Sequence, residues 1–138
     1  MKMRIQDNSI RFRITLKELA TLGREGRVRR ECREPGGGCL GYGVLVDQAL
    51  KESQVRLGSC EVELALCEKD FRRLAEPTEE GVYVQREWTD ANGEKRRFMA
   101  FVEKDRPGVA CAKREEWIYE GHRGGESVVV PIGGKSAT

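Results

Sequence analysis

The sequence is poor in the residues and segments from which many functional sites are built. It has a single histidine and no Cys-x-x-Cys pair in 138 residues. A histidine-based metal site would therefore have to recruit distant cysteines. No apolar run approaches the roughly 20 residues that cross a bilayer, and the polar segment 6–9 interrupts the basic N-terminus before any signal-peptide core can form. We expect no membrane association and a cytoplasmic location.

The cysteines are five in number, which is odd for a disulfide framework. A chain of this length buries enough surface to fold without covalent staples. Free thiols in a reducing compartment are therefore expected. The alternative is one bridge between Cys32 and Cys39, which flank a glycine turn and could face each other across a hairpin.

Three patterns resemble catalytic or phosphate-binding motifs, and none is complete. The segment 134–136 reads Gly-Lys-Ser, but the glycine that a phosphate loop needs five positions before its last glycine is Val129. Cys111 lies eleven residues from His122 without an orienting motif, and the glycines around His122 predict an exposed loop. The glycine run 36–38 lies between two strands and not before a helix, so a plain turn is expected. We predict no catalytic residue, no metal site and no cofactor.

Residues 9–47 and 60–105 are two versions of one pattern. Each begins with a strand, continues with a short amphipathic helix and ends with two strands joined by a turn. The second turn contains Asn92-Gly93, which is a strong hairpin signal between alternating segments. The pattern predicts an α+β fold in which two tandem β-α-β-β pseudo-repeats form one mostly antiparallel, barrel-like domain with two short helices.

Short-range signals place the helices at residues 16–22 and 68–75. Thr15 and Glu18 form a capping-box pattern before the first helix, and Gly23 is a natural stop for it. Apolar residues at strand and helix spacing predict the buried core. These are Ile10, Phe12, Ile14, Leu19, Leu22, Val62, Leu64, Leu66, Phe71, Leu74, Phe98 and Phe101.

The length is that of one ordinary domain. Apolar periodicity decays after position 105. We therefore expect a single pseudo-symmetric domain at residues 1–105 and an irregular C-terminal tail at residues 106–138.

Positive charge is concentrated near the N-terminus. Residues 1–35 hold ten basic and five acidic side chains, whereas the remainder holds fifteen and eighteen. In the hairpin predicted for residues 2–14, basic residues alternate with apolar ones, and cations that share a face repel one another unless they are neutralised.

Acidic residues of the chain could neutralise these cations, because Arg11 corresponds to Glu63 in the repeat alignment, with Glu61 on the same face. We favour this explanation over nucleic-acid phosphates. The nucleic-acid alternative would use Lys2, Arg4, Arg11, Arg13, Arg27, Arg29 and Arg30.

Several segments resemble a family of short uncharacterised bacterial proteins that is a domain of unknown function. The N-terminal likeness is Met1-Lys-Met-Arg-Ile5, then Asn8-Ser-Ile-Arg-Phe-Arg-Ile-Thr15, then Glu18-Leu19. The family also has a segment similar to Phe101-Val-Glu-Lys-Asp105 with a nearby Ala-Cys, here displaced to Ala110-Cys111. The resemblance covers roughly residues 1–111 and implies no activity.

A looser resemblance concerns topology. The order strand, short helix, strand, tight turn, strand is similar to that of the swapped-hairpin transcription factors, which bind DNA through basic residues. Fold analogy does not establish function.

Our leading hypothesis is a small non-catalytic interaction module with an unknown protein partner or a second copy of itself. A DNA-binding regulator is the alternative, and an enzyme of unrecognised type ranks third.

Overall fold

The computed structural model describes residues 1–105, 121–123 and 126–128. The chain divides into two compact units, Met1–Lys104 and Asp105–Thr138. In chain order the elements of the first unit are β1 Lys2–Gln6, β2 Ser9–Ile14, α1 Leu16–Glu25, β3 Arg27–Arg33, β4 Cys39–Val46, β5 Gln54–Leu57, β6 Glu61–Leu66, α2 Glu68–Ala75, β7 Gly81–Thr89 and β8 Lys95–Lys104. In the second unit β9 Gly121–Arg123 pairs antiparallel with β10 Glu126–Val128. The loop prediction for His122 is wrong, because its backbone lies in β9.

The first unit contains two four-stranded sheets. Sheet A has the order β1-β2-β8-β7, and sheet B has the order β3-β4-β6-β5. β2 runs parallel to β8 and β4 runs parallel to β6, whereas the other four pairings of this unit are antiparallel. The α+β class with two short helices is therefore confirmed. The eight strands of the first unit lie in two mixed sheets and do not close into a barrel, so the barrel-like part of the prediction is wrong.

The two sheets have the same plan. In sheet A the hairpin β1–β2 joins the hairpin β7–β8 by parallel pairing of residues 9–14 with residues 99–104. In sheet B the hairpin β5–β6 joins the hairpin β3–β4 by parallel pairing of residues 61–66 with residues 41–46. Each sheet thus combines one hairpin from each half of the unit. This common plan supports the repeat interpretation, which stays a prediction.

Helix α1 begins at the predicted cap and ends later than predicted. The Thr15 hydroxyl accepts a hydrogen bond from the Glu18 N–H, and the Glu18 carboxylate accepts one from the Thr15 N–H, both at 3.0 Å. The stop predicted at Gly23 is wrong, since the helix continues to Glu25 and Gly26 is its C-cap. Gly26 adopts a φ of 77°, the left-handed conformation that ends helices. Gly23 instead faces α2, where a Cβ would lie 3.3 Å from the Phe71 ring.

Helix α2 occupies the predicted residues and is capped from a distant segment. Its N-cap residue, Cys67, makes no side-chain cap bond. The buried hydroxyl of Ser53 accepts a hydrogen bond from the Cys67 N–H at 2.9 Å and donates one to the Asp70 carboxylate at 2.5 Å. The residue that precedes β5 therefore satisfies both the backbone and an acidic side chain in the first turn of α2.

The hydrophobic core largely follows the predicted residues. Eight of the twelve are buried, namely Ile10, Phe12, Ile14, Leu22, Val62, Leu64, Leu66 and Leu74. Leu19, Phe71 and Phe98 are partly buried and pack against this core. The prediction is wrong for Phe101, which is half-buried on the outer face of sheet A. Because side chains alternate along a strand, residues three positions apart, such as Phe98 and Phe101, cannot both face the core.

Candidate functional site

The outer face of sheet A, which is opposite the core, carries a surplus of positive charge. The register places Lys2 beside Arg13 and Arg4 beside Arg11. β8 lies on the other side of β2, and its residues at odd positions share this face. We call the six basic side chains the basic face: Lys2, Arg4, Arg11, Arg13, Lys95 and Arg97. The strands of sheet A place two acidic residues, Glu87 and Glu103, on the same side.

Two members of the basic face, Lys95 and Arg97, were missed by sequence reasoning. Their alternation with the residues that follow in β8 is visible in the sequence, because strand side chains have a period of two. Their position beside the N-terminal hairpin depends on the parallel pairing of β2 with β8, between segments about 90 positions apart. No local sequence pattern predicts that pairing.

The carboxylate of Glu103 neutralises part of the basic face. Its Oε2 lies 2.8 Å from Arg11 Nη2 and 3.4 Å from Arg13 Nη2. The Arg13 side chain is buried and Arg11 is one-quarter exposed. The predicted pairing of Arg11 with Glu61 or Glu63 is wrong, because β2 lies beside β8 and not beside β6. One carboxylate thus pairs with two guanidinium groups.

Aromatic rings continue the basic face toward β7. The Arg11 guanidinium carbon lies 5.3 Å from the Phe101 ring centroid, which is cation–π geometry. The Tyr83 ring centroid lies 5.3 Å from that of Phe101, with an interplanar angle of 35°. Tyr83 is 65% exposed. The register aligns Arg4, Arg11, Phe101 and Tyr83 as one row across the four strands.

The outer face of sheet B has nearly balanced charge. Its four basic residues are Arg27, Arg29, Arg33 and Arg56, and its three acidic residues are Glu31, Glu61 and Glu63. Arg27 Nη2 lies 3.3 Å from Glu63 Oε2, and Arg29 pairs with both Glu61 and Glu31. The hydrogen bonds that Arg29 donates to Glu61 and then to Glu31 raise the pKa of its guanidinium. Arg27 and Arg29 are thus neutralised by carboxylates of the same face.

The seven residues of the nucleic-acid hypothesis therefore do not form one patch. Four lie on the basic face, and Arg27 and Arg29 lie on the outer face of sheet B. Arg30 lies on the opposite side of β3 and donates to Glu18 at 3.1 Å. Glu18 also accepts hydrogen bonds from the Met1 amino group at 2.7 and 2.8 Å.

A cleft of about 660 Å³ lies between the end of α1 and the start of α2. Three arginines in its lining pair with carboxylates: Arg27–Glu63 at 3.3 Å, Arg56–Asp47 at 2.9 Å and Arg72–Glu68 at 2.7 Å. The hydrogen bond from Arg56 lowers the pKa of Asp47, so this carboxylate is a poor general base near neutral pH. Each of the three arginines that line the cleft is therefore paired with a carboxylate.

The glycine run 36–38 forms the predicted turn, and its backbone N–H groups bind a carboxylate of the protein itself. The Gly36 and Gly38 N–H groups each donate to the Glu34 carboxylate at 2.6 Å. These backbone bonds lower the pKa of Glu34. The turn is therefore occupied by a side chain of the protein.

The thiols and possible metal ligands are dispersed. Cys32, Cys39, Cys60 and Cys67 are free. Cys39 is opposite Arg33 and Cys32 is opposite Leu40, so the two thiols point to opposite faces of sheet B. Among the described residues no group of three or more His, Cys, Asp or Glu side chains could hold a metal ion. The incomplete motifs at Cys111 and at residues 134–136 lie outside the described residues.

Comparison with known proteins identifies the family. Of the helices in the described part of the chain, none has the length and apolar character needed to cross a membrane. No curated protein and no solved structure matches the chain. A family model matches residues 1–117, which include both sheets, and confirms the resemblance to a domain of unknown function. The chain belongs to the family of unknown function DUF7009.

Proposed function

We propose that the protein is a small, non-catalytic interaction module that binds an anionic partner through the basic face. The exposed cations Lys95 and Arg97 on the outer face of sheet A carry this proposal. On the equivalent face of sheet B the arginines of β3 pair with carboxylates of the same face. A concentration of one sign of charge attracts oppositely charged partners and speeds their association. The proposed location is the cytoplasm.

The cleft between the helices favours a second candidate function, the binding of a small molecule. Its volume of about 660 Å³ is in the range of ligand pockets. Its charged residues already form three arginine–carboxylate pairs, so a ligand would have to displace them. We therefore rank the cleft below the basic face, and an enzymatic role below both.

Charge removal on the basic face tests the proposal. The variant Lys95→Ala/Arg97→Ala removes two exposed cations from β8, and Arg24→Ala/Arg33→Ala removes two exposed cations elsewhere as the matched control. Binding to a fluorescently labelled oligonucleotide is measured by anisotropy over a range of salt concentrations. We expect log K to fall by about 0.7–0.9 per neutralised phosphate for each unit of log salt, and only the first variant to reduce affinity and slope. Undetectable binding at low salt, or equal weakening by both variants, would contradict the proposal.

A further inference from the structure

We infer that β7 pairs with β7 of a second copy of this chain, so that two A sheets join edge to edge across a two-fold axis. This inference goes beyond the proposed function, because it concerns the backbone edge of sheet A and not the cations Lys95 and Arg97. It depends on the exposure, the low charge and the self-complementary sequence of β7.

β7 is an edge strand with an open side, which we call the open edge. Among the described residues β8 is the only strand that pairs with β7. Residues 85–89 are all exposed, and Tyr83 is 65% exposed although it lies near the middle of this nine-residue strand. An edge of this length presents a row of unpaired backbone groups that can pair with another strand.

The hydrogen bonds of the β7–β8 pair show which backbone groups point to the open edge. The Lys104 N–H donates to the Glu80 carbonyl at 2.9 Å, in the register of this pair. Successive residues of a strand direct their backbone groups to alternate sides, so the even-numbered residues of β7 bond to β8. The N–H and C=O groups of Tyr83, Gln85 and Glu87 therefore point away from β8.

Charge and length distinguish β7 from the other three edge strands of the first unit. β1 and β5 have only five and four residues, and β3 has four arginines among its seven. All three carry net positive charge, so two copies of any one of them would repel each other. β7 contains one basic residue, Arg86, and one acidic residue, Glu87. A second copy can therefore approach this edge without net repulsion.

The sequence of β7 is self-complementary about Gln85. An antiparallel pair with its two-fold axis at Gln85 aligns all nine residues and sets outward-pointing residues opposite one another. Moving the axis to Arg86 or Glu87 would place two like charges opposite each other, which is destabilising. With the axis at Gln85 no two like charges are opposite. The pairs between the copies are then Gly81–Thr89, Val82–Trp88, Tyr83–Glu87, Val84–Arg86 and Gln85–Gln85.

Arg86 contacts the open edge without closing it. Its Nη1 donates to the Gln85 carbonyl at 2.9 Å, and a carbonyl oxygen has a second lone pair that can accept from the second copy. Its Nη2 lies 3.5 Å from Glu52 Oε2, so the arginine has a counter-ion of its own. Trp88, which is 47% exposed, gains an apolar neighbour on the second copy.

Charge substitution on the two-fold axis tests the inference. Sedimentation equilibrium of the full chain over a wide range of concentrations should show a monomer–dimer equilibrium. Gln85→Lys and Gln85→Glu should each raise the dissociation constant by about 3–5-fold, because like charges then meet on the axis. An equimolar mixture of the two variants should associate at least as tightly as the unaltered protein, because opposite charges then meet.

The matched control variants are Gln6→Lys and Gln6→Glu. Gln6 is an exposed glutamine in the same row of sheet A, but it lies on the opposite edge strand, β1. Neither variant should change the dissociation constant.

Amide hydrogen exchange at low and high protein concentration tests the register. The amides of Tyr83, Gln85 and Glu87 should exchange quickly in the monomer and become protected in the dimer. Those of Val84 and Arg86 bond to β8 and should be protected at both concentrations.

Three results would each overturn the inference. The first is a monomer at every concentration, and the second is association that the Gln85 and Gln6 variants weaken equally or not at all. The third is protection of the alternate amides that does not depend on concentration, which would mean that another part of the same chain covers the open edge. The proposed function is unaffected by these results, because its own test changes Lys95 and Arg97.

Discussion

The guanidinium of Arg29 on β3 reaches over Gly41 of β4 to the carboxylate of Glu61 on β6, with Nε and Oε1 3.1 Å apart. β4 separates β3 from β6, and its positions 41 and 43 on this face are glycines. A Cβ at position 41 would collide with both charged side chains. The missing side chains of β4 thus allow the charged groups of β3 and β6 to pair across the outer face of sheet B.

The glycine at position 43 is expected to be the more sensitive of the pair. A Cβ there would collide with the Val28 carbonyl oxygen, which belongs to the backbone and cannot swing aside. Gly43→Ala should therefore lower the free energy of unfolding by about 1–3 kcal/mol, as overpacking does. Gly58→Ala is the control, because its Cβ would have no neighbour closer than 3.9 Å. Urea unfolding measures both, and equal stability of the two variants would contradict the steric explanation.

The Ser53 hydroxyl should contribute to stability through the cap of α2. Ser53→Ala leaves the Cys67 N–H and the Asp70 carboxylate without this partner in a buried position. Such a loss costs roughly 1–3 kcal/mol. Ser59→Ala, at an exposed position in the β5–β6 turn, should change the unfolding midpoint little. A loss of stability of the same size in both variants would refute the capping role.

Stability should fall at acidic pH because of Glu18. Burial alone would raise the pKa of Glu18, but hydrogen bonds from the Met1 amino group and from Thr15 outweigh it and lower the pKa below its ordinary value of 4.5. A group whose folded-state pKa is lowered stabilises the fold above its unfolded pKa and loses that contribution as pH falls toward the folded value. The stabilisation is therefore complete near neutral pH and is lost progressively below 4.5.

Glu18→Gln isolates this effect. Near neutral pH the variant should be less stable by roughly 1.5–3 kcal/mol, because it loses charge-assisted hydrogen bonds. The difference from the unaltered protein should shrink as pH falls below 4.5. Urea titrations at several pH values measure it, with the exposed Glu25→Gln as control. A difference that does not change with pH would exclude the titration of Glu18 as its cause.

The local signals of the sequence predicted most of the secondary structure. The capping box at Thr15 and the turn at Asn92-Gly93 act over a few residues, so their chemistry can be recognised without a fold. The end of α1 was misplaced because two glycines, Gly23 and Gly26, both allow a stop. Only the packing of α2 against Gly23 distinguishes them.

The candidate site could be predicted only in part. The hairpin cations were found because β1 and β2 are adjacent in the chain. Lys95 and Arg97 were missed because their place depends on the parallel pairing of β2 with β8. The inward assignment of Phe101 failed for a related reason: both faces of β8 carry large apolar residues, and the partner strand decides which face is covered. Non-local pairing therefore defines the surface that we propose as functional.

The thiols provide a check on the geometry of β3 and β4. Cys32 and Cys39 point to opposite faces of sheet B, so no disulfide should join them. Alkylation without reductant, followed by mass spectrometry, should label the exposed Cys32 and Cys60 quickly and the buried Cys67 only after unfolding. Recovery of a Cys32–Cys39 bridge from freshly prepared protein would contradict the register of this hairpin.

The location of binding is the most direct test of the proposed interaction surface. Isotope-labelled protein is titrated with a single-stranded oligonucleotide, and the amide chemical shifts are followed by NMR. We predict that the shifts change in sheet A, most strongly around Lys95 and Arg97 of β8, while the outer face of sheet B and the cleft between the helices stay unchanged. Changes centred on sheet B or on the cleft, or no changes at low salt, would contradict the assignment of function to the basic face.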